Sequence, residues 1–221
     1  MSQTEIFESD RAAGYNQFVE TWIPNYHYFL NQLPRVLRDV EHKSLLCAGC
    51  GTGNEIERFT QSKQRWEITG VDPSPEMLKQ AREKFSTAPN VTLVDGLVTD
   101  LAPEPAFGAA TLLLVLHFLK KPEKLNLLKA IADRLKPGGS FVMVDITGEG
   151  ESFHTNVEIL RLLWPDGVDA EQAKTRLYRI QHELHHISEE NLVHLFTQAG
   201  FNPPVRFFQS AVYMGWLATK K

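Results

Sequence analysis

The sequence has little cysteine, no long apolar run and no excess of basic residues, and each shortage excludes a class of protein. Only two cysteines, Cys47 and Cys50, occur in 221 residues, too few for the disulfide framework of a small secreted domain. The longest apolar run, residues 109–116, is far too short to cross a bilayer. The formal net charge is -4, with lysine and arginine dispersed along the chain, which disfavours a surface that neutralises many phosphates.

The amino-acid composition of the chain is that of an ordinary globular protein. Hydrophobic residues make up 43% of the chain and charged residues 23%, and the length fits one α/β domain. The first residues are polar and acidic, whereas a signal peptide would be basic and then apolar. We therefore expect a cytoplasmic monomer or homodimer that binds no nucleic acid, no membrane and no metal.

From residue 43 onward, short apolar runs alternate with amphipathic segments, which is typical of βα units around a parallel sheet. Before this part, residues 9–40 indicate two helices interrupted near Pro24. After it, residues 147–187 indicate a partly helical insertion, followed by a helix that Ser188 can cap. The predicted strands are residues 44–48, 66–71, 91–94, 109–115 and 140–146, with 205–209 and 211–218 as antiparallel edge strands.

A glycine-rich turn, Gly49, Gly51 and Gly53, follows the first predicted strand and precedes a helix. Glycines in such a turn let the backbone contact a ligand and leave amides free at the helix N-terminus. Roughly 20 residues later Asp72 ends the second strand, where a carboxylate can accept both hydroxyls of a ribose. The two features together predict a nucleotide-type ligand.

The spacing of the glycines narrows the choice of nucleotide. A dinucleotide fingerprint places its third glycine at position 54, where this chain has Asn54. An NAD(P)-dependent oxidoreductase is therefore the weaker alternative. A non-catalytic cofactor-binding module is a third possibility.

Three motifs occur in order: residues 49–53 (GCGTG), residues 70–78 (GVDPSPEML) and residues 135–139 (LKPGG). Together they closely resemble the class I S-adenosylmethionine (SAM) dependent methyltransferases over roughly residues 45–146. The resemblance implies a three-layer Rossmann-like sandwich with a helical N-terminal lid and a seven-stranded, mostly parallel sheet that has one antiparallel strand. It also implies SAM as the cofactor and methyl transfer as the reaction.

On this resemblance the chain is a single methyltransferase domain in four segments. Residues 1–42 would form the lid, 43–146 the SAM-binding core, 147–187 an insertion that shapes acceptor specificity, and 188–221 a C-terminal helix with the last strands. The additions to the core are short and no basic groove is apparent. We therefore expect a small-molecule methyl acceptor.

The resemblance also implies site residues. The glycine loop would lie against the methionine part of SAM, Asp72 would bind the ribose, and Met77 would pack near the adenine. Tyr15 of the lid would reach the methionine carboxylate, and the segment after the third strand would contact adenine, with Asp95 as second choice. The expected cofactor-binding residues are Tyr15, Ala48, Gly49, Cys50, Gly51, Gly53, Asp72, Pro73, Met77, Gly96, Leu97, Val98 and Val115.

Cys47 is a departure from the family pattern, which usually has an acidic residue there, so a polar contact to the cofactor's amino group would be lost or supplied by water. In an open α/β sheet the site lies at the carboxyl ends of the strands. His117, after the fourth predicted strand, and Asp145, at the end of the fifth, are therefore candidate site residues. His117 could act as a catalytic base near neutral pH, or be a structural histidine at the rim. For Asp145 a structural or capping role is the expectation.

Two further motifs have rival interpretations. Residues 182–186 (HELHH) match HExxH, but the extended zinc-protease pattern is missing, so a His-rich lid or substrate wall is preferred. Cys47 and Cys50 have CxxC spacing, but nucleotide binding explains more of the surrounding residues than a redox pair does. The acceptor pocket residues suggested by the sequence are His154, Trp164, His182 and His185.

Overall fold

The computed structural model describes residue 6 and residues 9–221, with residues 9 and 10 described by their backbone alone. Residues 1–5, 7 and 8 of the predicted lid lie outside the described residues. The described strands are β1 (Ser44–Ala48), β2 (Glu67–Asp72), β3 (Val91–Asp95), β4 (Phe107–Leu113), β5 (Leu135–Ile146), β6 (Val205–Ser210) and β7 (Tyr213–Thr219). The described helices are α1 (Ser9–Ala13), α2 (Tyr15–Trp22), α3 (Tyr26–Val36), α4 (Asn54–Thr60), α5 (Pro75–Lys84), α6 (Lys121–Arg134), α7 (Gly150–Leu162), α8 (Ala170–His182) and α9 (Glu189–Gln198).

The seven strands form one sheet in the order β3-β2-β1-β4-β5-β7-β6. Strands β1 to β5 pair in parallel, and β7 runs antiparallel to both of its neighbours. The predicted sheet with one antiparallel strand is confirmed. The prediction that both tail strands lie at the edge is wrong for β7, because it pairs with β5 from Ile146↔Tyr213 to Ser140↔Thr219 and is covered by β6 on its other side.

Helices cover both faces of this sheet, which gives the predicted three layers. Side chains alternate along a strand, so Leu45 and Cys47 pack into the cluster that contains α3, α4 and α7. Leu46 and Ala48 point the other way, into the cluster that contains α6 and α9. All four side chains are fully buried, which is why β1 is an uninterrupted apolar run in the sequence.

The N-terminal lid consists of three helices in its described part, not the two that the sequence predicts. Gly14 separates α1 from α2, because glycine weakens a helix at that point. Asn25, at φ 62°, turns the chain into α3 after Pro24. The predicted break near Pro24 is therefore present.

The segment predicted as a partly helical insertion contains two full helices, α7 and α8. Asp169 begins α8, where its side chain accepts a hydrogen bond from the Gln172 amide at 2.9 Å. Among the described residues, none of the helices is both long and apolar enough to cross a membrane. The insertion packs over the same face of the sheet as the lid.

The order of the strands determines where a ligand can bind. The chain moves outward from β1 to β2 and β3, and then returns to place β4 on the other side of β1. Ligands of open α/β sheets bind beside the carboxyl ends of the strands at this point of reversal. The loops after β1 and β4 are therefore the expected walls of the site.

Candidate active site

The loop after β1 presents bare backbone to the interior of the site. Its first two amides, of Gly49 and Cys50, donate to the carbonyl of Val71 at 2.8 and 3.1 Å. Gly49 has φ +67°, and a Cβ atom at this position would lie 2.6 Å from the side chain of Val115. Any side chain here would be strained and would collide with the loop after β4.

Asp72 ends β2 and faces this loop. One carboxylate oxygen accepts the Gly51 amide at 2.8 Å, and the other accepts the Ser74 amide at 2.9 Å. The side chain is buried, and burial raises the pKa of Asp72, whereas the amides of Ser74 and Gly51 act to lower it. The structure thus fixes a carboxylate against the glycine loop, as the ribose assignment requires.

A cavity of about 600 Å³ begins at these two features and continues under the lid. Of the residues predicted from the sequence, the following line it: Tyr15, Ala48, Gly49, Asp72, Pro73, Met77, Gly96, Leu97, Val98, Val115 and His117. Asp95, the second choice for adenine, is not among the lining residues, whereas the preferred segment from Gly96 to Val98 is.

Three predicted cofactor residues, Cys50, Gly51 and Gly53, do not line the cavity. A Cβ atom on Gly70 would lie 2.9 Å from the Cys50 sulfur, so the thiol faces β2. The Gly51 amide is engaged by Asp72, and Gly53 packs against Phe85. Cys50, Gly51 and Gly53 therefore support the loop and do not form the cavity wall.

Both cysteines are free and buried. Burial raises the pKa of the Cys47 and Cys50 thiols well above the ordinary value, so both are protonated at neutral pH. Since the thiolate is the reactive form, the CxxC spacing does not create a reactive pair here.

The lid is connected to the glycine loop by a hydrogen-bond network that the sequence did not reveal. The side-chain oxygen of Asn16 accepts from the Thr52 hydroxyl at 2.7 Å and from the Asn54 amide at 2.9 Å. Asn54 also donates to the Tyr26 hydroxyl at 3.0 Å. Tyr26 therefore belongs to the scaffold, whereas Tyr15 lines the cavity, and burial raises its pKa.

His117 follows β4 and pairs with Asp145, the next-to-last residue of β5. Their closest atoms, Nδ1 and Oδ1, are 2.6 Å apart, and both side chains are buried. Asp145 also accepts the amides of Leu116 at 2.6 Å and Ile146 at 2.7 Å. Burial acts to raise the pKa of Asp145, but the charges of His117 and Lys124 and these hydrogen bonds bring it below the ordinary value. Asp145 is thus an ionised partner of His117 as well as a structural acceptor.

Lys124 of α6 fixes the backbone around His117. Its buried ammonium group donates to the Leu116 carbonyl and to the His185 carbonyl, the latter at 2.6 Å. The His185 amide in turn donates to the His117 carbonyl at 2.8 Å. The loop after β4 is therefore joined to α6 and to the end of the insertion.

The rest of the cavity wall is formed by residues that the sequence did not predict. Most are apolar residues of the lid and of the loop after β4, and two are arginines of α8. They include Phe18, Val19, Ile23, Leu114, Phe118, Leu119, Arg176, Arg179, Leu184 and Tyr213. The sequence feature that could have indicated two of them is the spacing of Arg176 and Arg179, which places both arginines on one face of α8.

The HExxH residues are not arranged for zinc in this fold. Helix α8 ends at His182, so the motif does not lie on a helix. His182 stacks on Tyr178, and His186 stacks on Phe153 and contacts the Gly148 carbonyl at 2.9 Å. Among the described residues, no cluster of three or more histidine, cysteine or acidic side chains could hold a metal ion.

The residues suggested for the acceptor pocket, His154, Trp164, His182 and His185, are absent from the cavity wall. The prediction is wrong for this cavity, and His182 stacks on Tyr178 instead. Trp164 instead packs edge-on against Trp22 with ring centroids 4.8 Å apart, and its Nε1 donates to the Trp22 carbonyl at 3.1 Å.

Residues 45–139 match the model of a protein family described as "Methyltransferase domain". This stretch contains the glycine loop, Asp72 and the loop that carries His117. This match and the similarities below support a class I SAM-dependent methyltransferase. SAM is accordingly the cofactor of this enzyme.

Similar proteins agree with this assignment. Carboxy-S-adenosyl-L-methionine synthase of Hahella chejuensis is 22% identical over 97% of this chain and 92% of its own length. Trans-aconitate 2-methyltransferase of Afipia carboxidovorans is 34% identical over 50% of this chain and 40% of its own length. The structure of human N-acetylserotonin methyltransferase in complex with SAM superposes with a TM-score of 0.66 at 20% identity, covering 95% of this chain and 56% of the human one. At that identity the structural likeness concerns the fold.

The residues present fit the cofactor. The bare backbone at Gly49 and the fixed carboxylate of Asp72 provide the contacts for a nucleoside, and Met77, Leu97 and Val98 provide an apolar wall beside them. The chemistry of this set is that of a neutral base, a ribose diol and a cationic sulfur, because its one charged group is the carboxylate of Asp72.

Proposed function

We propose that this enzyme transfers the methyl group of SAM to a small-molecule acceptor held in the far half of the cavity. The observation that carries the proposal is that one cavity is lined by the glycine loop at Gly49, by Asp72 and by His117. One space therefore contains a nucleoside site at one end and a potential base at the other.

The cofactor half would bind and orient SAM. Asp72 would accept the ribose hydroxyls, while Gly96, Leu97, Val98 and Met77 would surround the adenine. Tyr15 and the loop from Ala48 to Gly53 would contact the methionine part, with Gly49 in direct contact and Cys50, Gly51 and Gly53 supporting the turn. Pro73 and Val115 would complete the wall.

Methyl transfer requires little of the protein beyond positioning the acceptor and excluding water. Bound SAM supplies a methyl group on a positively charged sulfur, and that charge is lost during an in-line displacement. Holding an acceptor in line and excluding water can provide most of the rate. The apolar lid residues Phe18, Val19 and Ile23 would exclude water, since they line the cavity above the sheet.

His117 would act as general base for an acceptor that carries a proton. The ionised Asp145 accepts from Nδ1 at 2.6 Å, so the neutral ring carries its proton there and Nε2 has the free lone pair. This is the arrangement of a base whose tautomer is fixed by a carboxylate. Asp145 would thus be a positioning residue.

A small acceptor agrees with the name of one relative, the trans-aconitate methyltransferase. The other relative, a carboxy-SAM synthase, matches almost the whole chain and suggests a second reaction, in which the methyl carbon of SAM gains a carboxyl group from a carboxylic-acid co-substrate that takes the displaced proton. Mass spectrometry of the nucleoside products separates the two, because methyl transfer leaves S-adenosylhomocysteine and carboxylation leaves a heavier cofactor. Neither relative supports the oxidoreductase or the non-catalytic module. A cytoplasmic monomer or homodimer acting without nucleic acid, membrane or metal is part of the proposal.

The cofactor site is tested by calorimetric titration of SAM and S-adenosylhomocysteine into the wild type and Asp72→Ala. We expect clear binding by the wild type and an affinity about tenfold lower for the variant, equivalent to about 1.4 kcal/mol. NAD serves as the competing ligand and Asp95→Ala as the matched control. Equal affinity in the wild type and Asp72→Ala would refute the ribose assignment, and binding of NAD in place of SAM would refute the function.

The role of His117 is tested with His117→Gln and an acceptor found by screening for S-adenosylhomocysteine release. General bases typically contribute about 10²- to 10⁴-fold, so kcat should fall within that range while the SAM affinity stays within about twofold. The exposed His182→Gln is the control. A kcat equal to that of the control would leave His117 with a structural role only.

A further inference from the structure

The cavity wall contains a cation, Arg176, that has no acidic partner in the part of the chain that the structure describes. Arg176 of α8 lines the cavity, and no ion pair between it and an acidic side chain is found among the described residues. The side chain is half-buried, and its Nε atom is buried and, in that same part of the chain, has no hydrogen-bond partner. A guanidinium group that is partly removed from water in this way is costly unless an anion pairs with it.

The surroundings of Arg176 are apolar on one side and polar on the other. Its guanidinium carbon lies 4.3 Å from the centre of the Phe18 ring, a favourable cation–aromatic contact. Arg176 also acts on the fully buried Tyr213, where burial raises the pKa of the hydroxyl and the charge of Arg176 and a hydrogen bond from it partly offset the rise. Arg176 and Tyr213 thus form a pair of potential hydrogen-bond donors in the cavity wall.

The acid that acts on Tyr213 together with Arg176 already has its own partners. Asp145, which also acts on Tyr213, binds His117 and the amides of Leu116 and Ile146 with its two oxygens. Both carboxylate oxygens of Asp145 therefore already have hydrogen-bond donors. The positive charge of Arg176 is therefore available to a ligand.

The position of Tyr213 separates this residue from the glycine loop. Tyr213 begins β7, and the strand order places β4 and β5 between β7 and β1. Three strand spacings of about 4.8 Å give roughly 14 Å between the lines of β1 and β7. Arg176 reaches towards both regions, because its charge acts on Tyr213 and also on Tyr15, so the test below distinguishes an acceptor carboxylate from the carboxylate of the cofactor.

We infer that the methyl acceptor is an organic acid whose carboxylate binds Arg176, with Tyr213 as a second donor and an apolar body against Phe18 and Leu184. The inference rests on the proposed function, because it assigns the second substrate of the same cavity. Arginine matches a carboxylate with two parallel hydrogen bonds. The mostly apolar wall favours a singly charged carboxylate over a doubly charged phosphate. The carboxylate is the recognition group, and the methylated atom lies elsewhere on the acceptor.

The test compares acids with their neutral amides, for example phenylacetate with phenylacetamide and 4-hydroxybenzoate with 4-hydroxybenzamide, within a panel of aromatic and aliphatic pairs. Binding is measured by ligand-observed NMR with and without S-adenosylhomocysteine. We expect the wild type to bind acids of the panel at least tenfold more tightly than their amides. Arg176→Gln should lose this preference, and Arg176→Lys should retain part of it.

The controls separate this inference from the proposed function. Lys174→Gln removes an exposed cation of the same helix and should leave the preference unchanged, and thermal unfolding checks that each variant is folded. Equal binding of acids and amides, or no binding of either, overturns the inference even if SAM binds normally. A large loss of S-adenosylhomocysteine affinity in Arg176→Gln also overturns it, since Arg176 would then hold the cofactor's own carboxylate. Failure of the wild type to bind S-adenosylhomocysteine would instead refute the proposed function.

Discussion

Glu55, in the first turn of α4, is a buried carboxylic acid next to the glycine loop. One of its oxygens is buried and has no hydrogen-bond partner in the described part of the chain. The pKa of Glu55 is raised from 4.5 to about 8, chiefly by burial and also by the charge of Asp72, while the Glu55 amide and Lys84 act in the opposite direction. At neutral pH Glu55 is therefore mostly protonated in the folded protein and ionised in the unfolded chain.

This difference makes the stability depend on pH. Between about pH 4.5 and pH 8 the folded state holds one more proton than the unfolded state, so the contribution of Glu55 to stability is full below pH 4.5 and is lost as the pH rises towards 8. Glu55→Gln removes the titration. From pH 5 to pH 8 we expect the variant to gain about 2–4 kcal/mol in unfolding free energy relative to the wild type, at about 1.4 kcal/mol per pKa unit.

Urea unfolding at pH 5, 6.5 and 8 measures this difference. The partly exposed Glu57→Gln, on the same helix, is the control and should show no pH-dependent gain. The pH-independent cost of burying an amide cancels in the comparison. Parallel stability curves for the wild type and Glu55→Gln would show that Glu55 ionises normally in the folded protein.

Single residues of the cofactor half could be predicted because their signal is short-range. Gly49 follows β1 and Asp72 ends β2. A glycine-rich turn and a carboxylate at that spacing commonly bind a nucleotide. Arg176 and Tyr213 could not be predicted, because they come together from α8 and β7 only after the insertion folds back over the sheet. Leu114, at φ 60°, carries no sequence signal, since leucine rarely adopts that conformation.

At the scale of elements, Lys124 joins three segments that the sequence treats as separate. It lies on the buried face of α6 and donates to carbonyls of the loop after β4 and of residue His185. Burial lowers the pKa of Lys124 to about 8, while Asp145 and Glu123 oppose that change. The helix therefore holds the backbone of the His117 loop by a side chain that does not line the cavity.

Lys124→Met should loosen this loop while leaving the cofactor half intact. Removing the donor takes one hydrogen bond from the Leu116 carbonyl, which keeps that of the Leu119 amide, and leaves the partly buried His185 carbonyl without its side-chain donor, at a cost of about 1–3 kcal/mol. We expect kcat to fall about tenfold and the SAM affinity to stay within about twofold, as measured by steady-state kinetics and calorimetry. Lys129→Met, an exposed position on the same helix, is the matched control. If Lys124→Met is as active as this control, the anchoring role is wrong.

Helices and strands could be predicted where a single hydrophobic pattern runs through the whole segment. The βα alternation predicted strands β1 to β4 within two residues of their ends, since each is a mainly apolar run. Strand β5 begins at Leu135, earlier than predicted, because Leu135 pairs with Phe107 before the register shift that precedes Ala109. The helices α7 and α8 were predicted only in part, because the glycine, proline and histidine residues around them obscure the helical period.

At the scale of the whole molecule, the lid and the insertion hold each other above the cavity. They are far apart in sequence, yet Trp22 of α2 and Trp164 after α7 pack edge-on and share a hydrogen bond. The same helix α2 carries Phe18 and Val19, which line the cavity. The part of the cavity wall that lies on α2 is therefore coupled to a contact that does not itself line the cavity.

This coupling predicts that a change outside the cavity weakens cofactor binding. Trp164→Ala removes a buried aromatic ring, which costs about 3–5 kcal/mol, and should lower Tm by about 10 °C in a chain of this size. Because α2 then loses a support, we expect SAM affinity to fall several-fold at a temperature where the variant is still folded. Trp164→Phe keeps the ring contact and loses one hydrogen bond, about 1 kcal/mol, so its Tm should fall by about 3 °C and its affinity should be nearly unchanged. A lowered Tm with unchanged SAM affinity in Trp164→Ala would show that the lid closes independently of the insertion.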